Sequence, residues 1–213
     1  YKEMGFTKET IINALALLGW STENEIFSID ELIESFKLEN VQKAAAVFDL
    51  KRFNWISSQQ LAKLDENGFF EVIKPFMEDE DVSEDYPNYK KILLAMRTSK
   101  TNLKDIAHAT RPFFFELDGY DEKGVKKFLN ESLETLTFAL EVLSKLTEWN
   151  ETELDMALIK VRDYFNLPIP KVNQPMRIAL VGSTVSPSLG LTLELFGKEK
   201  SLERIQKAID FIS

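Results

Sequence analysis

Between Pro175 and Leu189 the chain sets one guanidinium, Arg177, ahead of Gly182 and then the hydroxyls of Ser183, Thr184 and Ser186. Pro175 suits a first helical turn, where a missing N–H costs nothing, and Gly182 suits the left-handed residue that ends a helix. Ser186-Pro187 repeats the start signal, an N-cap hydroxyl followed by proline. The stretch thus reads as two short helices around a polar elbow. Hydroxyls, free backbone amides and a guanidinium can read the edges of unstacked bases. The same pattern also fits an ordinary joint between helices, and these residues alone leave both readings open.

Little else in the chain could make or break bonds. There is no Gly-rich phosphate loop, no Gly-x-Ser-x-Gly elbow and no His-Glu-x-x-His pair. Without cysteine, thiolate metal sites and disulfides are excluded, and a single histidine, His108, offers little for metal ligation or general-base work. His108 sits among Ile106, Ala107 and Ala109 on a predicted helix, the setting of a packed or capping ring. Carboxylate pairs are plentiful, but they fall in an acidic stretch or at helix starts, where they solvate or cap. The chain by itself is expected to be no enzyme, to hold no metal and to need no cofactor. An independent hydrolase fails for want of a nucleophile–base pair.

The elements that must position the elbow read as helices. Thr7 caps a helix over Ile11, Ile12, Leu15 and Leu18 that stops at Gly19, with a turn at Trp20-Ser21. Ile26-Phe27-Ser28 suggests a short strand, and Ser28 to Glu31 forms a capping box for the next helix. Asp49 caps another, which Ser57-Ser58 is expected to break. Asn67-Gly68 marks a boundary, and Glu78 to Asp85 a solvated loop. Helices follow over Pro87–Met96 and Leu103–Ala109; Pro112 to Phe115 is expected to interrupt. They resume at Asp121 and over Ser132–Leu146, after Asn150 and over Leu202–Ile212, with Pro168 and Pro170 ending the one before the elbow. The predicted fold is all-α, with one small hairpin near the N-terminus.

Of the 213 residues 44% are hydrophobic, sixteen of them Phe, enough for a sizeable core. No run reaches the ~18 apolar residues of a membrane span, and no signal peptide is visible, so a cytoplasmic location is expected. Opening at Tyr1 rather than Met, the chain is expected to be a piece of a longer protein. Its net charge of −9 speaks against nucleic acid until the distribution is examined. From Asn88 to Pro112, Lys90, Lys91, Arg97, Lys100, Lys104 and Arg111 face only Asp105, whereas Glu71 to Asp85 holds seven acids and one lysine. A local basic face steers a polyanion whatever the total.

Two stretches carry a resemblance. Asn13 to Ser21, Glu25-Ile26-Phe27, Val47 to Leu50 and Trp55 resemble the segment of bacterial glutamyl-tRNA synthetases just past the ATP-site signature loop, and Tyr1 to Phe6 is similar to the run that directly follows that loop. The elbow, with Gly197 to Ile205, resembles the C-terminal end of the same class I enzymes. The resemblance implies a stem-contact module over 1–67 and an α-helical anticodon-binding domain over 68–213, with a subdivision near 147. It implies a parent that is a glutamate–tRNA ligase, monomeric, joining glutamate to tRNA with ATP and magnesium. The catalytic domain, with its two ATP-site signatures, is expected upstream.

Residue by residue, the family's anticodon-reading arginine matches Arg177, its small polar-Pro pair matches Ser186-Pro187, and Leu189 follows. The stem-contact module usually has Asn and Tyr after its Trp, where this chain has Ser57 and Gln60. Aligning Asn102 to Asp105 with the family's Thr-Leu-Lys-Glu run puts Ser99 where enzymes that reject glutamine tRNA carry an arginine. The resemblance therefore implies a parent that accepts glutamine tRNA as well as glutamate tRNA, unless Arg97 substitutes, with Arg97 and Lys100 in reach of phosphates. The competing reading is a helical protein-interaction scaffold that shares the fold without binding RNA.

Overall fold

A computed structural model describes residues 1–20, 22–42 and 47–213; Ser21, where a turn was expected, lies outside them. Among the described residues the secondary structure is helical: α1 (Lys8–Ala16), α2 (Ile29–Ser35), a 3₁₀ turn, α3 (Leu50–Lys63), α4 (Glu66–Asp79), α5 (Tyr89–Met96), α6 (Leu103–Phe114), α7 (Glu122–Gly124) running into a π-helical turn Val125–Leu129, α8 (Leu133–Ser144), α9 (Glu151–Phe165), α10 (Ile169–Val181), α11 (Leu189–Phe196) and α12 (Lys198–Ile212). The all-α expectation holds. The chain packs as two units, Tyr1–Thr110 and Arg111–Ser213.

In the first unit the caps fall where the sequence puts them. Thr7 accepts from the Thr10 amide, Ser28 and Glu31 form a reciprocal capping box, and Asp49 opens α3. The expected strand at Ile26–Ser28 is absent because side-chain amides serve its backbone. Asn13 donates to Glu25 O at 3.0 Å and accepts from Phe27 N at 3.0 Å, and Gln60 Nε2 donates to Phe27 O at 2.7 Å and to Asn13 Oδ1 at 2.8 Å. What remains of a hairpin is one antiparallel bridge, Trp20 to Val41. Phe6, Trp20, Phe27, Phe53 and Ile56 form the core around this network.

Two expected breaks do not occur. α3 runs through Ser57-Ser58: the Ser57 hydroxyl donates to Thr101 O at 2.5 Å and that of Ser58 back to Trp55 O at 2.7 Å, leaving the helix intact. α6 runs through Pro112, since its buried stripe of Leu103, Ile106, Ala107 and Thr110 carries the helix on, and Phe115 N still donates to Arg111 O at 2.9 Å. Asn67-Gly68 lies in the first turn of α4, which Asp65 caps.

The second unit is a bundle of α8 to α12 around Leu136, Leu143, Leu154, Val161, Met176, Leu180, Leu193 and Ile205. Arg204 of α12 is buried here with no carboxylate on it. It donates to Leu180 O and, at 2.6 Å, to Phe115 O, and lies over the Phe196 ring at 4.5 Å. Burial pushes its pKa down to about 10. The guanidinium thus fastens the last turn of α10, from which the elbow departs.

Candidate nucleic-acid interface

α10 begins earlier than Pro175 suggests. Pro168 is its N-cap and Pro170 sits in the first turn, so Pro175 falls inside the helix with its ring buried. Gly182 ends it at φ 72°, its N–H on Ile178 O at 2.9 Å and its carbonyl taken by Asp121 N at 2.8 Å. The next helix starts two residues later than expected. Ser188, not Ser186, caps α11, accepting from Leu191 N at 3.4 Å.

The Ser186 hydroxyl is engaged elsewhere. Arg177 Nε donates to it at 3.1 Å, Arg177 Nη2 donates to Pro187 O at 3.4 Å, and Thr192 Oγ1 lies 3.2 Å from the same hydroxyl. Arg177 therefore braces the elbow while its Nη1 amino group keeps its hydrogens for a ligand. The guanidinium is half-buried, and burial holds its pKa below the ordinary arginine value. A partly desolvated cation that presents only donors suits an acceptor-rich anion or base edge.

Of the residues read from the sequence, Arg177, Ser186 and Pro187 come together. Leu189 does not join them: it is 2% exposed and packs in the core. Gln174 was not singled out from the sequence. It lies one helical turn before Arg177, and its buried Oε1 has no hydrogen-bond partner. The i, i+3 spacing to Arg177 is the signal that could have found it.

Arg97, Ser99 and Lys100 belong to the first unit. Arg97 is spent on structure: its Nε donates to Leu61 O at 3.1 Å, Nη2 to Leu61 O and to Leu64 O, the latter at 2.5 Å, and its guanidinium lies 5.1 Å from the Phe69 ring centre. It closes the C-terminal end of α3, where orphan carbonyls need donors. The Ser99 hydroxyl is buried without a partner, and Lys100 is exposed. His108 is neither packed nor a cap; its ring is 74% exposed and its Nδ1 lies 3.2 Å from Glu80 Oε1. Among the described residues no group of His, Asp or Glu could hold a metal, and no helix is long and apolar enough to cross a membrane.

The fold is a two-unit helical one, and its second unit is built around a braced elbow. Residues 68–209 match the family model of the anticodon binding domain, and residues 1–55, read above as stem-contact module, match that of the class I tRNA synthetase (E and Q) catalytic domain. The chain belongs to the anticodon-binding-domain family of the class I synthetases. It is 32% identical to the glutamate–tRNA ligase of Thermodesulfovibrio yellowstonii, over 99% of this chain and 47% of that protein. It is 33% identical to glutamate–tRNA ligase 2 of Thermoanaerobacter pseudethanolicus, over 100% of this chain and 46% of the relative. A crystal structure of a glutamate tRNA ligase from Elizabethkingia meningosepticum, in complex with its amino acid, superposes with TM-score 0.82 at 30% identity, covering 100% of this chain and 43% of that one. The chain spans about half the length of the relatives it matches.

Proposed function

We propose that this chain is the tRNA-recognition part of a glutamate–tRNA ligase and that its second unit holds the anticodon at the α10–α11 elbow. The full-length protein would join L-glutamate to tRNA. ATP and magnesium would be held upstream, since one exposed histidine paired with Glu80 supplies no ATP-site signature. The observation that carries the reading is the Arg177 array, a half-buried guanidinium braced on Ser186 and Pro187 with an amino group still uncommitted. Arg177→Ala should weaken binding of glutamate tRNA by about 1–3 kcal/mol, the worth of one good base contact, with an unchanged helical circular dichroism spectrum. Unchanged affinity, or an unfolded unit, would make Arg177 a structural brace and remove the main support.

We also infer that the parent accepts glutamine tRNA. Ser99 is short and its hydroxyl is buried, so no guanidinium stands at this position to reject either base. Arg97, the residue that could replace a discriminating arginine, is committed to the end of α3.

A further inference from the structure

Beside the Arg177 array, α9 and α10 leave an open cleft of about 250 Å³, walled by Leu158, Ile159 and Ile169 and bearing Asp155, Arg162 and Asn173. Asn173 stands one turn before Arg177 on the same face of α10. Across the cleft Asp155 lies against the first turn of α11, so close that a Cβ on Gly190 would meet its Oδ1 at 2.5 Å. The cleft therefore borders the helix that follows the elbow. Its volume falls below the ~300–1,000 Å³ of sites for drug-sized ligands, and suits a single flat ring.

Its polar groups are unequally engaged. Arg162 turns to Asp163, with Nε and Nη2 at 2.9 and 2.7 Å from Oδ1. Asp155 and Asn173 make no hydrogen bond or ion pair within the protein. Ile159 and Ile169, 46% and 57% exposed, stand beside these two uncommitted groups. Apolar walls with one free acceptor and one free amide are the means by which proteins hold a splayed base, by its faces and its edge.

We propose that this cleft takes one unstacked base of the bound RNA and selects a base bearing an exocyclic amino group. The proposal rests on the tRNA-reading assignment above. An ionised carboxylate only accepts, so the edge it meets must donate, as the amino groups of cytosine, adenine and guanine do. Uracil offers a single donor, N3–H, flanked by two carbonyl oxygens that the carboxylate repels, so it is the poorer fit. Asn173, with both donor and acceptor, serves the neighbouring ring atom.

The test uses the 213-residue chain and an anticodon stem-loop RNA of glutamate tRNA. Companion RNAs replace each amino-bearing loop base in turn: cytosine by uracil, guanine by inosine, adenine by purine riboside. Asp155→Asn keeps the shape and should lower affinity for the parent loop about tenfold, with circular dichroism unchanged. At one loop position the deaminated RNA should bind wild type and Asp155→Asn alike. A loss of equal size against every companion RNA overturns amino-group selection. If Asp155→Asn and Asn173→Ala bind as wild type while Arg177→Ala does not, the cleft is idle and the tRNA assignment stands. If the wild-type chain binds no stem-loop even at low salt, both fall.

Discussion

At Ser99 a hydroxyl is buried with no partner, in a unit whose other buried polar side chains are well satisfied. An orphan of this kind costs stability of order 1–3 kcal/mol, so a compensating use is worth seeking. A guanidinium there would present donors alone, matching the acceptor edge of C and leaving the donors of G unsatisfied. Charging assays with the full-length protein should show glutamate attached to both glutamate and glutamine tRNAs, and Ser99→Arg should restore rejection of the second. Strong rejection by the wild type would end the idea. Arg177 stood out as a lone guanidinium beside hydroxyls and a stop signal, and the structure brings it onto Ser186 and Pro187. The role of Arg97 was not legible, because its partners are backbone carbonyls of α3, more than thirty residues earlier in the chain, and no local pattern announces them. Leu189 shows the opposite limit. It was placed by its position in the motif, and its burial depends on packing that the motif does not contain.

Helices with a side-chain cap were mostly legible at their starts, whereas α10 and α11 begin elsewhere than read and interiors misled. Thr7, Ser28, Asp49, Asp121 and Asn150 all act as caps, since a cap needs only a side-chain oxygen and an amide two or three residues on. Interior breakers misled because tertiary burial outweighs a local cost: α4, α6 and α10 each carry a proline inside. Gly182 is the stop signal that held, for two independent reasons. Its φ of 72° disfavours any side chain, and a Cβ would lie 2.8 Å from the Gly119 carbonyl oxygen. Gly182→Ala should therefore cost at least about 1–2 kcal/mol in urea unfolding, from the left-handed conformation alone. It should also weaken tRNA binding beyond that loss, because the clash is with backbone at the root of the elbow. Full stability with full binding would show that the elbow can be rebuilt without its glycine.

For the whole molecule the question is how a chain of net charge −9 approaches a polyanion. Much of its cationic charge is engaged internally. In the second unit Lys200 and Lys207 share Glu116 and Glu203, Lys145 pairs with Glu141, and Arg204 is buried. The surplus negative charge repels RNA at long range, over a distance that salt cuts to about 8 Å at physiological ionic strength. Short-range contacts release counterions and oppose it, each phosphate on a single strand contributing about −0.7 to the slope of log affinity against log salt. Two to four such contacts at the elbow would give a slope of about −1 to −3. Measured for the glutamate stem-loop across a salt series, a slope in that range fits a base-reading site with few phosphate contacts. Arg177→Ala should lower affinity at every salt concentration and leave the slope nearly unchanged, since its role is to read an edge. A fall in steepness by about 0.7 would make Arg177 a phosphate contact instead. Binding independent of salt would remove the phosphates from the interface, whereas no binding at any salt would return the chain to the class of helical scaffolds.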